Sequence, residues 1–220
     1  MATVVITGAN RGIGLEFVKQ YLAKGDQVIA LCRNTSDELS NTRAQVIEKV
    51  DVSSADSLEN VLSTLSSLKI DLLINNAGVL TDESLDHMSA GNLEYQFRVN
   101  AMGPLLVTQM LRHQLVKGSK VALITSRMGS VTDNTSGGRY GYRMSKAALN
   151  IAGMSLAHDL KAQEVAVALL HPGYVQTEMV NNNGDISAAV AVERLMQRIE
   201  ELNVNNTGTF WHSNGDVLPW

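Results

Sequence analysis

The sequence is poor in the residues that staple, break or extend a chain. Its one cysteine, Cys32, rules out an internal disulfide, and its apolar surroundings read as a buried free thiol in a reducing compartment. The 3 prolines and 17 glycines make 20 of 220 residues, well under the roughly 25–30% that marks low-complexity chains. The 18 lysines and arginines form no basic run and the net charge is −4. The electrostatic footprint of a nucleic-acid or polybasic membrane binder is therefore missing. No apolar run approaches the roughly 18 residues of a membrane-spanning helix. The first ten residues hold no lysine or arginine and run into a glycine turn, unlike a secretory signal. These absences predict a cytoplasmic globular protein with neither nucleic acid nor membrane as partner.

Hydrophobic residues make up 45% of the chain, enough for a sizeable core, and no linker, repeat or composition shift divides 1–220, which reads as a single domain. Short apolar runs rich in β-branched residues occur at Thr3 to Thr7, Gln27 to Cys32, Gln45 to Val50, Asp71 to Asn75, Lys120 to Thr125 and Val165 to His171, with a weaker one at Thr209 to His212. Helical stretches lie between them at Gly12 to Lys24, Ser54 to Ser66, Leu93 to Leu115, Tyr140 to Lys161 and Ser187 to Leu202. Val121-Ala122-Leu123-Ile124 is apolar at successive positions, as in strands covered on both faces. The alternation predicts a doubly wound (Rossmann) α/β domain with about seven parallel strands, helices on both faces, and ligand at the carboxyl ends of the strands.

Thr7-Gly8-Ala9-Asn10-Arg11-Gly12-Ile13-Gly14 follows the first strand and opens a helix, where glycines let backbone amides approach a pyrophosphate. The spacing Gly-x-x-x-Gly-x-Gly resembles the cofactor turn of the short-chain dehydrogenase/reductase family. Further motifs stand in that family's order over nearly the full length: Asp51-Val52, Asn76-Ala77-Gly78, Asn100, Thr125-Ser126, Tyr142-x-x-x-Lys146, and Pro172-Gly173 with Val175 and Thr177. More narrowly, Thr125 to Ser130, Tyr142 to Lys146 and the ending Leu218-Pro219-Trp220 resemble the C-factor subgroup, related to small carbonyl reductases. The resemblance implies cofactor contacts from Gly8, Asn10, Arg11, Gly12, Ile13, Gly14, Arg33, Asp51, Val52, Asn76, Ala77, Gly78, Tyr142, Lys146, Pro172, Gly173, Val175 and Thr177.

Reducing a carbonyl makes an alkoxide, so the site needs a donor that stabilises the oxyanion and an acid that protonates it. The resemblance gives these roles to Ser126 and Tyr142, with Ser130 as substitute for Ser126 and Tyr140 as rival phenol. Residues four apart share a helix face, so the Lys146 ammonium can approach the Tyr142 phenol. At roughly 5 Å and an effective dielectric of about 20 it would lower the phenol by about two pK units. The resemblance gives Asn100 a water linking the lysine to solvent. The five histidines show no His-x-x-x-His pair or acidic cluster, so no metal is expected.

An acid at the end of the second strand favours NAD, whereas an arginine there accommodates the extra phosphate of NADP. The strand ends Leu31-Cys32-Arg33, and Arg11 offers a second cation, so the reading is NADP(H). Asp37, 23 residues beyond Gly14, is the competing acid, discounted because Asn34-Thr35-Ser36 sets it in a loop. The function expected is NADPH-dependent reduction of a small-molecule ketone, aldehyde or quinone-like carbonyl. The competing reading is a C-factor-like signalling protein that binds cofactor with little or no turnover. Residues 178–186, with Asn181 to Gly184 at their centre, are expected to form a short, mobile substrate loop. Apolar and small residues on several faces of 103–115 and 142–157 predict a homodimer or homotetramer.

Overall fold

Seven strands form one sheet in a computed structural model that describes residues 1–220, the side chain of Asn60 excepted. They are β1 (Thr3–Thr7), β2 (Gln27–Leu31), β3 (Gln45–Ile47), β4 (Ile70–Asn75), β5 (Leu115–Ile124), β6 (Ala166–His171) and β7 (Phe210–His212). Their order is β3-β2-β1-β4-β5-β6-β7, with every neighbouring pair parallel. The chain winds outward from β1 to β3 and then returns to β4 on the other side of β1. That reversal opens a crevice beyond the carboxyl ends of β1 and β4.

Seven helices cover the sheet: α1 (Gly12–Ala23), α2 (Asp37–Ser40), α3 (Ala55–Leu65), α4 (Ala90–Phe97), α5 (Gly103–Met110), α6 (Tyr140–Asp159) and α7 (Ala188–Glu201). Successive strand residues serve opposite layers. Val5, Leu73, Val121 and Leu169 pack with residues of α3, α5 and α6, while Ile6, Leu72, Ile74 and Leu170 pack with residues of α1 and α7. The central strands are thus buried on both faces, which is why their sequences run apolar without alternating. Ser36, Ser54, Ser89 and Ser187 cap α2, α3, α4 and α7, each hydroxyl accepting a hydrogen bond from a first-turn amide.

Two sequence expectations need correction. The helix expected over Leu93 to Leu115 is broken into α4, a π-helical turn at Arg98–Met102, and α5, where Pro104 suits the first turn. Leu115 belongs instead to β5, pairing with Ile70 before a register shift that resumes at Leu72 opposite Lys120. The shift accommodates Gly118 at φ +87°. Residues 174–186 fold back on themselves: Asp185 N–H donates to Tyr174 O at 2.7 Å, Gln176 N–H to Ile186 O at 2.9 Å and Asn182 N–H to Thr177 O at 2.8 Å. A short 3-10 turn, Glu178–Val180, sits inside it. Among the described residues no helix is long and apolar enough to cross a membrane.

Candidate active site

A cleft of about 550 Å³ lies at the carboxyl ends of the strands. One end is the glycine turn. Gly8, at φ +63°, lies so close to β4 that a Cβ would stand 2.8 Å from Ala77 Cα, and a Cβ on Gly14 would stand 2.6 Å from Asn76 Nδ2. Unlike the serine-capped helices, α1 has no side-chain cap and no acid in its first turn. Its orphan N–H groups therefore remain available to an anion, and the bare backbone lets a phosphate come close. Gly8, Asn10, Arg11, Gly12 and Ile13 line the cleft, whereas Gly14 stands behind it and keeps the turn tight. On the facing wall Pro172, Gly173, Val175 and Thr177 also line it, with Thr177 Cγ2 3.4 Å from where a Gly12 Cβ would be.

Beyond the glycine turn, β2 and β3 bring Cys32, Arg33, Asp51 and Val52 to the cleft. Burial pushes the Asp51 carboxyl up, but hydrogen bonds from the Ser53 side chain and backbone, with the charge of Arg33, outweigh it and hold it low. Arg33 Nη1 reaches the Tyr95 hydroxyl at 3.3 Å. Arg11 is ion-paired with exposed Glu178 of the folded-back segment 174–186, so its guanidinium is shared between the two walls. Asp37 opens α2 and does not line the cleft.

The residues after β4 are held from behind. Asn76, Ala77 and Gly78 line the cleft, but the Asn76 amide donates to the carbonyls of Thr7 and Gly8, both at 3.1 Å, and so braces the glycine turn. Asn100, fully buried in the π-helical turn, accepts from Val79 N–H at 2.8 Å and donates to Val79 O at 2.8 Å and Ser145 Oγ at 3.0 Å. Its amide is spent on these bonds and Asn100 does not line the cleft. The side chain fixes the β4 loop to α6.

At the other end, α6 carries Tyr142 and Lys146 up to Ser126, which follows β5. All three line the cleft, while Tyr140 and the buried Ser130 do not. The Ser126 hydroxyl accepts from Met128 N–H at 3.1 Å and stands close enough to the Tyr142 phenol to favour its ionised form. Lys146 Nζ lies 5.7 Å from the centroid of the Tyr142 ring and donates to Ile124 O at 2.9 Å. The electrostatic expectation is overturned: burial pushes the phenol above its ordinary value, and the Ser126 hydrogen bond and the Arg139 charge only partly oppose it. Burial likewise pulls the Lys146 ammonium down to about 8. Desolvation is the largest influence on both groups, raising the phenol and lowering the ammonium.

The sequence reading missed His171, Arg127 and Arg139, which also line the cleft. His171 ends β6 and stacks edge-on against His212 with ring centroids 5.0 Å apart, leaving its buried Nδ1 without a protein partner. Burial, then the charges of His212, Arg127 and Lys146, pulls it down to about 3. Its place directly before Pro172-Gly173 was the available signal. Among the described residues no three His, Cys, Asp or Glu side chains gather as metal ligands would.

The family described as short chain dehydrogenase matches residues 2–188. A 1-hydroxy-2-glutathionyl-2-methyl-3-butene dehydrogenase of Rhodococcus sp. (strain AD45) is 36% identical over 226 residues, spanning 100% of both chains. The C-signal of Myxococcus xanthus is 42% identical over 158 residues, 69% of this chain and 93% of that one. Among solved structures, an NADPH-bound carbonyl reductase from chicken fatty liver superposes with a TM-score of 0.89 at 26% identity, covering 100% of this chain and 99% of that chain.

Proposed function

The chain belongs to the short-chain dehydrogenase/reductase family, and within it we propose an NADPH-dependent reductase of small-molecule carbonyls that uses Tyr142 as the proton donor. One observation carries the reading: Ser126, Tyr142 and Lys146 meet at one end of a single cleft whose other end is an uncapped, glycine-walled helix start. The similar carbonyl reductase with bound NADPH supports the cofactor, and Arg33 and Arg11 supply two cations for its extra phosphate.

When bound, the dihydronicotinamide supplies the hydride that reaches the carbonyl carbon. The Ser126 hydroxyl donates to the carbonyl oxygen as negative charge develops there. The Tyr142 O–H then breaks and its proton passes to that oxygen, completing the alcohol and leaving a phenolate. Lys146, held on Ile124 O, stabilises that phenolate by its charge. Asn100 is a positioning residue that ties the β4 loop to α6.

The test is NADPH oxidation against a panel of ketones, aldehydes and quinones, with Tyr142→Phe as control. Turnover that Tyr142→Phe removes supports the reading, and NADPH binding without turnover of any of them overturns it. That outcome favours a second reading, a cofactor-binding signalling protein, which the identity to the C-signal supports. For assembly, we infer a homodimer or homotetramer through α5 and α6, on which Leu105, Met144 and Ile151 are exposed apolar residues.

A further inference from the structure

The chain as a whole is acidic, with net charge −4, yet its cleft is not. At the cofactor end Arg11, Arg33, Asp51 and Glu178 balance one another. At the catalytic end the charged side chains are Arg127, Arg139 and Lys146, and among the described residues no carboxylate lines that end. Lys146 is committed to the Ile124 carbonyl. Two guanidiniums remain whose charge the proposed reduction does not use.

Both have donors to spare. Arg127 follows Ser126 directly and places Nε and Nη2 on a single oxygen of Asp133, at 3.2 and 3.0 Å, while Nη1 has no protein partner among the described residues. Arg139 stands three residues before Tyr142 and places only Nε on Asp82, at 3.2 Å, which leaves both of its Nη groups free among the described residues. Asp82 is 81% exposed at its side chain, so water screens much of its hold on Arg139. The two charges also reach the reacting groups: Arg139 favours the ionised form of Tyr142, and Arg127 disfavours protonation of His171.

Arg139 is placed there by construction. It opens α6 at φ +50°, in the left-handed region that non-glycine residues enter only where their surroundings impose it. Its backbone N–H donates to Glu83 O at 2.9 Å, and the buried Glu83 carboxylate is gripped by Gln96 Nε2 at 3.0 and 3.1 Å. The brace holds this arginine at the cleft, three residues before Tyr142.

We propose that the cleft takes carbonyl compounds that bear a carboxylate, the carbonyl meeting Ser126 and Tyr142 and the carboxylate taken by the free donors of Arg139 and Arg127. A planar guanidinium with two parallel N–H groups matches a carboxylate in geometry as well as charge. This inference rests on reading the cleft as a carbonyl-reducing site. It names the substrate class of that site.

The probes are 4-carboxybenzaldehyde and succinic semialdehyde, each beside its methyl ester, with NADPH. Wild type should favour each acid over its ester at least fivefold in kcat/KM, mainly through KM, and added KCl should erode the preference. Arg139→Gln and Arg127→Gln should each bring the ratio towards one. Asp82→Asn, which removes the competing carboxylate, should raise it, and a damaged fold cannot mimic that opposite sign. Calorimetric titration of the acids and esters into the NADPH complex of Tyr142→Phe reads the same preference without turnover. An acid-to-ester ratio within twofold on both skeletons, or a preference that both arginine variants keep, overturns the inference. Acids bound in preference to esters while no carbonyl is reduced would uphold it and sink the reductase reading. Equal reduction of acid and ester would do the reverse.

Discussion

Tyr142 illustrates how burial reverses a local charge argument. Four-residue spacing puts Lys146 Nζ 5.7 Å from the centroid of the Tyr142 ring, but the same packing strips water from both groups, which raises the phenol and lowers the ammonium. A phenol held above its ordinary value suits an acid that gives a proton to an alkoxide. Tyr142→Phe is expected to lower kcat at least 1,000-fold, about 4 kcal/mol in the barrier, while the NADPH Kd from fluorescence titration stays within threefold. Tyr140→Phe should retain activity, and the reverse pattern would mean that the wrong phenol has been assigned. Lys146 loses its proton as pH rises through about 8, so kcat/KM should fall on the basic side of that value. Lys146→Arg, with a guanidinium that stays charged, should move that limb upward.

His171 gives the opposite limb, in stability. Its folded value lies near 3 against an ordinary 6.5, so below pH 6.5 the unfolded chain binds a proton that the folded chain refuses. Stability from this group is complete above 6.5 and drains away as pH falls towards 3. Between pH 6.5 and 5 the loss amounts to about 1.5 kcal/mol. Urea unfolding at the two pH values should show it, and His171→Asn should flatten the slope. An unchanged slope would mean that the imidazole is solvated.

At the scale of elements, the position of Ser126 depends on how closely the 3-10 turn at Arg127–Gly129 approaches α6. A Cβ on Gly129 would lie 2.6 Å from the Lys146 carbonyl carbon, which is backbone and cannot swing aside. Gly129→Ala should therefore push the turn off α6, separate Ser126 from Tyr142 and lower kcat at least tenfold, with a smaller change in NADPH Kd. A kinetic profile equal to wild type would show that the turn has slack. At the end of β2, Arg33→Ala should cut any preference for NADPH over NADH at least tenfold in Kd, measured by titration with both cofactors. A preference that survives would transfer the assignment to Arg11. Arg11 itself is shared with Glu178, a partner 167 residues away that no local reading could supply.

For the whole molecule, α5 and α6 leave Leu105 39%, Met144 57% and Ile151 68% exposed, and covering such side chains is the drive for pairing. Light scattering at micromolar concentration should give a multiple of 23.8 kDa. Ile151→Glu should shift the population towards monomer. A wild-type mass of 23.8 kDa would rule the pairing out.

Strand runs, helix runs and the glycine turn were legible because each is written in local chemistry: apolar succession for strands covered on both faces, glycine where backbones must meet, and tyrosine and lysine one helical turn apart. From these the doubly wound sheet could be read without coordinates, and the family resemblance named Ser126, Tyr142 and Lys146, which the fold brings to one cleft. The break at Arg98–Met102 could not, because it joins two stretches of ordinary helical sequence. Nor could the folding-back of 174–186, whose asparagines and glycine would suit a slack loop equally well until backbone partners hold them. The sequence by itself determined which residues could do chemistry, since residue type and short-range spacing are local properties. Only the tertiary structure decided their surroundings and company, from the half-buried phenol and the orphaned His171 nitrogen to the two arginines facing the catalytic end. Desolvation and Coulomb interaction depend on distances through space between segments that lie far apart along the chain.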